Sequence, residues 1–267
     1  MIRSYFGIEK NPFSLDDITL LPYQQEIYDI LEVHSGQGGL CLLMGEPGTG
    51  KTVIKEEIKK KTSKRMSVIS VARTLHTYTN TIKILCQAFN INFVGTHFSC
   101  EKRLIEEAYN LKRTGNRIIL IIDDAHLMEM QTLRRIRLLL EDFPKNYNLI
   151  LAGQPALLHS MNLKVNDDIK SRVTYSVVMK RLAPDDMKSF ITTQLDAAGL
   201  GHNTFSEEAL DLIVRSADGI LRRTRNLCLG SFLEAVRAQR KTIDISLVNK
   251  VLIQPHWRNE YDLQHIS

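Results

Sequence analysis

The sequence is poor in the residues that would staple it or anchor it. Its four cysteines (Cys41, Cys86, Cys100 and Cys228) stand far apart in 267 residues, with no CxxC pair. That argues against a disulfide framework or a zinc site and for a reducing compartment. No apolar run approaches the length needed to cross a bilayer, so no membrane span is expected. The opening, MIRSYFGIEKNPF, lacks the apolar stretch of a secretory leader. Internal repeats and low-complexity tracts are missing as well. A cytoplasmic protein is the expectation. A net charge of +5 leans only slightly toward a polyanionic partner.

What is present is an alternation of short apolar runs with amphipathic stretches. GLCLLMG (39–45), MSVISV (66–71), RIILIIDD (117–124) and NLILAG (148–153) suit strands buried on both faces, as in a parallel sheet. VTYSVVM (173–179) is a fifth candidate, rich in β-branched residues. Helical segments are predicted from Lys51 to about Lys61, from Tyr78 to Phe89, from an N-cap at Ser99 to Gly115, and from Met130 to Asp142. Strand–helix alternation of this kind implies an α/β layer structure with helices on both faces of the sheet. After Arg181 the pattern becomes wholly helical: Pro184 opens and Gly199 closes one helix, Ser206 and Gly219 bound the next, and two more follow. The expected division is an αβα domain over 1–181, a small C-terminal helical domain over 182–253, and a tail over 254–267.

Gly45-Glu46-Pro47-Gly48-Thr49-Gly50-Lys51-Thr52 fits the phosphate-loop pattern GxxxxGK[ST], between an apolar strand and a helix. Glycines let backbone N–H groups close around phosphate oxygens, and the helix N-terminus adds partial positive charge. Lys51 is expected to reach the outer phosphates, the Thr52 hydroxyl to ligate Mg²⁺, and Val53 to complete the nucleotide-contacting segment. Asp123 follows five apolar residues, so its strand delivers a carboxylate to the sheet edge beside that loop, where it would serve Mg²⁺. Asp124 comes next and would polarise an attacking water. Aspartate is one methylene shorter than glutamate, and a misplacement on the order of 1 Å costs about 10²-fold in rate, so slow hydrolysis is expected.

The arrangement resembles the AAA+ superfamily of P-loop NTPases. Within it the sequence is similar to the ExeA-like group and its relatives, the transposition regulators of the TnsC, TniB and phage Mu B type. YFGIEKNPFSL (5–15) resembles the opening of ExeA-like proteins, LILAGQPAL (149–157) their sensor-1 strand, and the segment from Ser171 to Gly199 their arginine-finger region leading into a lid. DGILRRTRNLC is similar to a lid motif that usually carries proline at the position of Leu221, and Asp124 stands where glutamate is usual. The resemblance implies ATP and Mg²⁺ as cofactors, Gln154 as sensor 1, Arg172 as a finger supplied to a neighbouring subunit, Arg222 as sensor 2, and self-assembly into a ring or helical filament.

Two uses of ATP follow from that resemblance. In one, the assembly binds duplex DNA without sequence preference and recruits a transposase. In the other, as for ExeA-like ATPases, it assists assembly of a secretion or envelope complex. The expectation favours DNA, because no membrane span or extra envelope-binding domain is evident. Arg73, Thr74 and Thr77, after the second strand, with Arg134 and Arg135 on a later helix, are the candidate phosphate-backbone contacts. KEEIKKKTSKR (55–65) reads instead as a solvated charged face. Trp257, Arg258 and Tyr261 in the tail are candidate transposase contacts.

Overall fold

The computed structural model describes residues 1–14, 20–60, 66–71, 77–93, 95–145 and 147–257. Five strands form one all-parallel sheet: β1 (Gly39–Gly45), β2 (Met66–Val71), β3 (Arg117–Ile122), β4 (Asn148–Gly153) and β5 (Val173–Met179), in the order β2-β3-β4-β1-β5. Among the described residues the α-helices are α1 (Ile2–Phe6), α2 (Pro22–Gln37), α3 (Lys51–Lys60), α4 (Tyr78–Ala88), α5 (His97–Arg113), α6 (Met130–Glu141), α7 (Ala156–Met161), α8 (Asp167–Lys170), α9 (Pro184–Ala197), α10 (Glu207–Ala217), α11 (Leu221–Arg237) and α12 (Ile245–Leu252).

The continuous apolar runs have a direct physical cause, because alternate residues of each interior strand bury on opposite faces. Leu40, Leu42 and Met44 of β1, Ile118, Leu120 and Ile122 of β3, and Leu149 and Leu151 of β4 pack with α4, α5 and α6 through Ile82, Leu85, Leu104, Leu133 and Ile136. Cys41, Leu43, Ile119, Ile121, Ile150 and Ala152 face the other way, against Ile27, Tyr28 and Leu31 of α2 and Ile54 and Ile58 of α3. The edge strand β5 is mostly exposed, and only Met179 is buried.

The chain divides into two compact units, Leu20–Met179 and Met1–Thr19 with Lys180–Ser267. The first nineteen residues therefore group with the C-terminal helices, where the sequence placed them with the sheet. The reason is aromatic packing. Phe232 of α11, fully buried, has Phe6 edge-on at 5.0 Å and Phe205 edge-on at 5.5 Å, with Phe13 at 6.3 Å. Such ring pairs add about 0.5–1.5 kcal/mol each beyond the area they bury. In the same unit Gly219 has φ +73°, and a Cβ there would lie 2.7 Å from the Leu182 carbonyl oxygen. Only glycine fits that conformation and that space.

Helix α5 begins earlier than its sequence suggests. Thr96, not Ser99, is the N-cap, and its hydroxyl accepts the Ser99 N–H. Helix α2 was not anticipated, although Pro22 at its first position and Gln24, whose side chain accepts the Leu21 N–H at 3.0 Å, are start signals.

Candidate nucleotide site

Because all five strands run parallel, their carboxyl ends share one edge, where open α/β sheets hold ligands. Strand β4 lies between β1 and β3. Leu42, Leu151 and Ile122 form one register row across them, and Met44 pairs with Gly153. Gly45, Gln154 and Asp123, at or just past these strand ends, thus come together on neighbouring strands although they lie far apart in sequence.

The loop after β1 is folded around a lysine. Gly48 and Gly50 adopt φ of 87° and 109°. L side chains rarely accept such values. A Cβ on Gly45 would sit 2.7 Å from the Thr49 hydroxyl, which itself donates to the Glu46 carbonyl at 2.9 Å. Lys51, nearly buried at the start of α3, donates from Nζ to the carbonyls of Gly45 (2.7 Å) and Glu46 (2.9 Å). Tyr23 of α2 donates its hydroxyl to the Thr49 carbonyl at 3.1 Å and ties the loop to the helix below. Thr52 is exposed on the first turn of α3.

Asp123 is paired rather than open. Its Oδ2 accepts Lys55 Nζ at 2.5 Å, and its Oδ1 accepts the Asp124 N–H at 3.0 Å. Lys55 is buried, which corrects the reading of 55–65 as a solvated face at its first residue. Lys59 is half-buried, Lys60 is exposed as expected, and residues 61–65 lie outside the described residues. Asp124 is exposed and stands in the left-handed region at φ 52°, ψ 34°. Aspartate tolerates that conformation better than glutamate does, so backbone geometry bears on this position as well as reach. The turn continues into His126, whose Nδ1 is buried without a hydrogen-bond partner and whose backbone nitrogen would lie 3.2 Å from a Cβ on Gly153. Gln154 is half-buried, and its carbonyl accepts the Leu157 N–H that starts α7.

Arg172 lies elsewhere. It directly precedes β5, whose first residue Val173 pairs with Leu40 while Met179 pairs with Gly45. It therefore occupies the amino edge of the sheet, roughly 15–20 Å of strand rise from its own cradle at about 3.3 Å per residue. Its Nη2 lies 3.2 Å from Glu141, and its side chain is 62% exposed.

The candidate nucleic-acid contacts separate. Arg134 holds Asp168 with two hydrogen bonds (2.7 and 3.1 Å) and also donates to the Val165 carbonyl and the Asn166 side chain. That bond holds the Asp168 carboxyl below its usual range. Arg135 is exposed and lies 3.7 Å over the Tyr78 ring, next to Thr77, whose side chain caps α4. Arg73, Thr74, Arg258 and Tyr261 lie outside the described residues. Trp257 has the Arg223 guanidinium 6.0 Å from its ring.

In the helical unit Arg222 is exposed in the first turn of α11. Arg225, one turn on, is half-buried with its Nε lacking a partner. Burial first, then the Arg222 charge, lowers its pKa. The resemblance points to Arg222 for the lid position, and in sequence Arg225 lies near enough to be confused with it. Its only signal was helical spacing from Arg222.

The donor set fits a hard divalent cation. Thr52 and Asp123 could supply a hydroxyl and a carboxylate, and no group of three or more His, Cys, Asp or Glu that could hold a metal occurs among the described residues. Mg²⁺ is bound in this sparse way, by one or two protein oxygens with waters and phosphate oxygens completing the octahedron.

Residues 34–161 match the family model for an AAA domain. The chain covers 97% of its length on the ORC2 protein of Aeropyrum pernix, determined in ADPNP–ADP complexes, with a TM-score of 0.73 at 14% identity and 75% of that chain. The fold is the AAA+ P-loop fold. Cdc6p of Pyrobaculum aerophilum aligns with a TM-score of 0.70 at 20% identity (88% of this chain, 68% of that one). The Aeropyrum pernix ORC1 protein, solved in complex with DNA, aligns at 0.72 and 18% (91% and 68%). Identities this low establish the AAA+ fold alone. In sequence the chain is 24% identical over 261 residues to general secretion pathway protein A of Aeromonas hydrophila, covering 92% of this chain and 48% of that protein. It is 28% identical over 153 residues to a putative general secretion pathway protein A of Escherichia coli K12, covering 57% and 30%. The chain thus spans half or less of the length of these two relatives. Among the described residues no helix is long and apolar enough to cross a membrane.

Proposed function

We propose that this chain is a self-assembling AAA+ ATPase module that drives assembly of a secretion-type or envelope complex. The observation that carries the ATPase reading is the convergence of the Lys51 cradle and Asp123 at one sheet edge, with Arg172 at the other. Thr52 and Asp123 would hold Mg²⁺, which supplies charge neutralisation between the outer phosphates. Lys51 would leave its two carbonyls for phosphate oxygens, and Gln154 and Asp124 would orient water on the third phosphate. Arg172 is too far along the sheet to serve its own cradle, so it would complete a neighbour's. Arg222 and Arg225 are the candidates in the helical unit for sensing phosphate.

The likeness to general secretion pathway protein A over 92% of the chain supports the secretion reading over the transposition reading. A DNA-directed role has its own support. A structural neighbour was solved on DNA, and the exposed Arg135 lies over the ring of Tyr78, the residue that follows the exposed Thr77. Fluorescence anisotropy with labelled duplex DNA, with ATP, ADP or no nucleotide across a salt series, tests the choice. The secretion reading expects no ATP-dependent affinity even at low salt. Affinity that appears with ATP and falls steeply with salt would overturn it in favour of the DNA reading.

A further inference from the structure

Lys55 belongs to no part of the phosphate-loop motif, yet it is buried and aimed at the same site. It lies four residues after Lys51 on α3, so the two ammonium groups rise from one helix face. Its side chain is 7% exposed. Lysine is almost never buried unless paired. Its partner is the Asp123 carboxylate at 2.5 Å; Glu56, the other carboxylate near it, is 3.9 Å away and half exposed. With Asp124 donating to the other oxygen, both oxygens of the candidate metal-binding carboxylate are engaged.

We infer that Lys55 is a built-in counter-cation that takes the place of the divalent ion's charge at Asp123 before the ion arrives. This rests on the ATP–Mg²⁺ reading of the site. A bare carboxylate beside the cradle repels a polyphosphate, and the Lys55 ammonium cancels that repulsion. A nucleoside triphosphate can then enter without metal. Mg²⁺ has to compete with Lys55 for Asp123. Lys55 thereby sets how strongly nucleotide affinity depends on Mg²⁺, which an ion pair holding only the fold would not do.

The test is equilibrium titration with a fluorescent ATP analogue, in Mg²⁺ and in EDTA, for the wild type, Lys55→Met, Asp123→Asn and the double variant, each checked for folding by thermal melt. Lys55→Met is expected to lose at least about tenfold in EDTA, the order expected for one uncompensated charge several ångströms from a polyphosphate at an effective dielectric of about 20. Its Mg²⁺-supported affinity should hold or rise. The double variant should regain the wild-type affinity in EDTA. If Lys55→Met does not fold, Asp123→Asn decides, because an unopposed Lys55 should tighten binding in EDTA about tenfold relative to the wild type. Equal losses with and without Mg²⁺, or an unchanged affinity of Asp123→Asn in EDTA, would overturn the role of Lys55. Failure of the wild type to bind in either medium would remove the ATP reading beneath it, and this inference with it.

Discussion

Asp124→Glu sets two effects of known size against each other. The residue stands at φ 52°, ψ 34°. Placing glutamate there costs about 1 kcal/mol, since only short polar side chains visit that region readily. If Asp124 polarises the attacking water as proposed, one extra methylene would bring its carboxylate nearer to the third phosphate, and recovering a misplacement of about 1 Å is worth about 10²-fold, or about 2.7 kcal/mol. Reach wins. Even with the whole strain subtracted, about 1.7 kcal/mol remains, which is more than about tenfold. Steady-state phosphate release at saturating Mg²⁺–ATP should therefore rise at least about tenfold in Asp124→Glu. The melting temperature of the sheet unit should fall by about 2–4 °C, the shift that about 1 kcal/mol produces in a unit of this size. A variant that melts lower yet turns over no faster would refute the view that the short carboxylate throttles the site.

Other expectations follow from packing and titration. Phe232→Ala removes the fully buried ring on which Phe6, Phe13 and Phe205 converge. The loss should cost the helical unit about 3–5 kcal/mol in chemical denaturation. His34 sits against Asn148 and Thr174 (2.6 Å to each) at the amino edge of the sheet, and burial lowers its pKa below 6.5. The unfolded chain therefore binds this proton more readily than the folded one. The stability contributed by neutral His34 is present above pH 6.5 and is lost as pH falls through the folded pKa. Between about pH 7 and 5, His34→Gln should lose less stability than the wild type in urea titrations.

The interior of the sheet was legible in the sequence because strands buried on both faces must be apolar throughout. The runs read for β1, β2, β4 and β5 match the strands, and β3 ends at Ile122, before the two aspartates that the sequence run included. The phosphate loop was legible because its glycines and lysine answer to a fixed ligand shape. Lys55 was not, since a lysine among alternating charges looks solvated until the fold sets a carboxylate from residue 123 against it. Arg134 looked available for phosphate for a similar reason, and its partner Asp168 comes from a different helix. The opening Phe6 and Phe13 carry no period that reveals their packing on α11. The family resemblance offered Arg172 as a finger for a neighbouring subunit, while its residues alone showed only an arginine near a strand start. The parallel register adds that this start is the far edge of the sheet from the cradle.

That separation makes a subunit-mixing experiment the most direct test of a nucleotide site completed by a second copy. Lys51→Ala removes the cradle lysine and keeps Arg172, whereas Arg172→Ala keeps the cradle and removes the proposed finger. Each variant alone should hydrolyse ATP at background rate, and Arg172→Ala monomers should still bind it. Mixing the two should restore phosphate release, because intact cradles then meet intact fingers across subunit boundaries. A mixture as inactive as its parts, or an Arg172→Ala protein that hydrolyses ATP like the wild type, would contradict a finger supplied in trans.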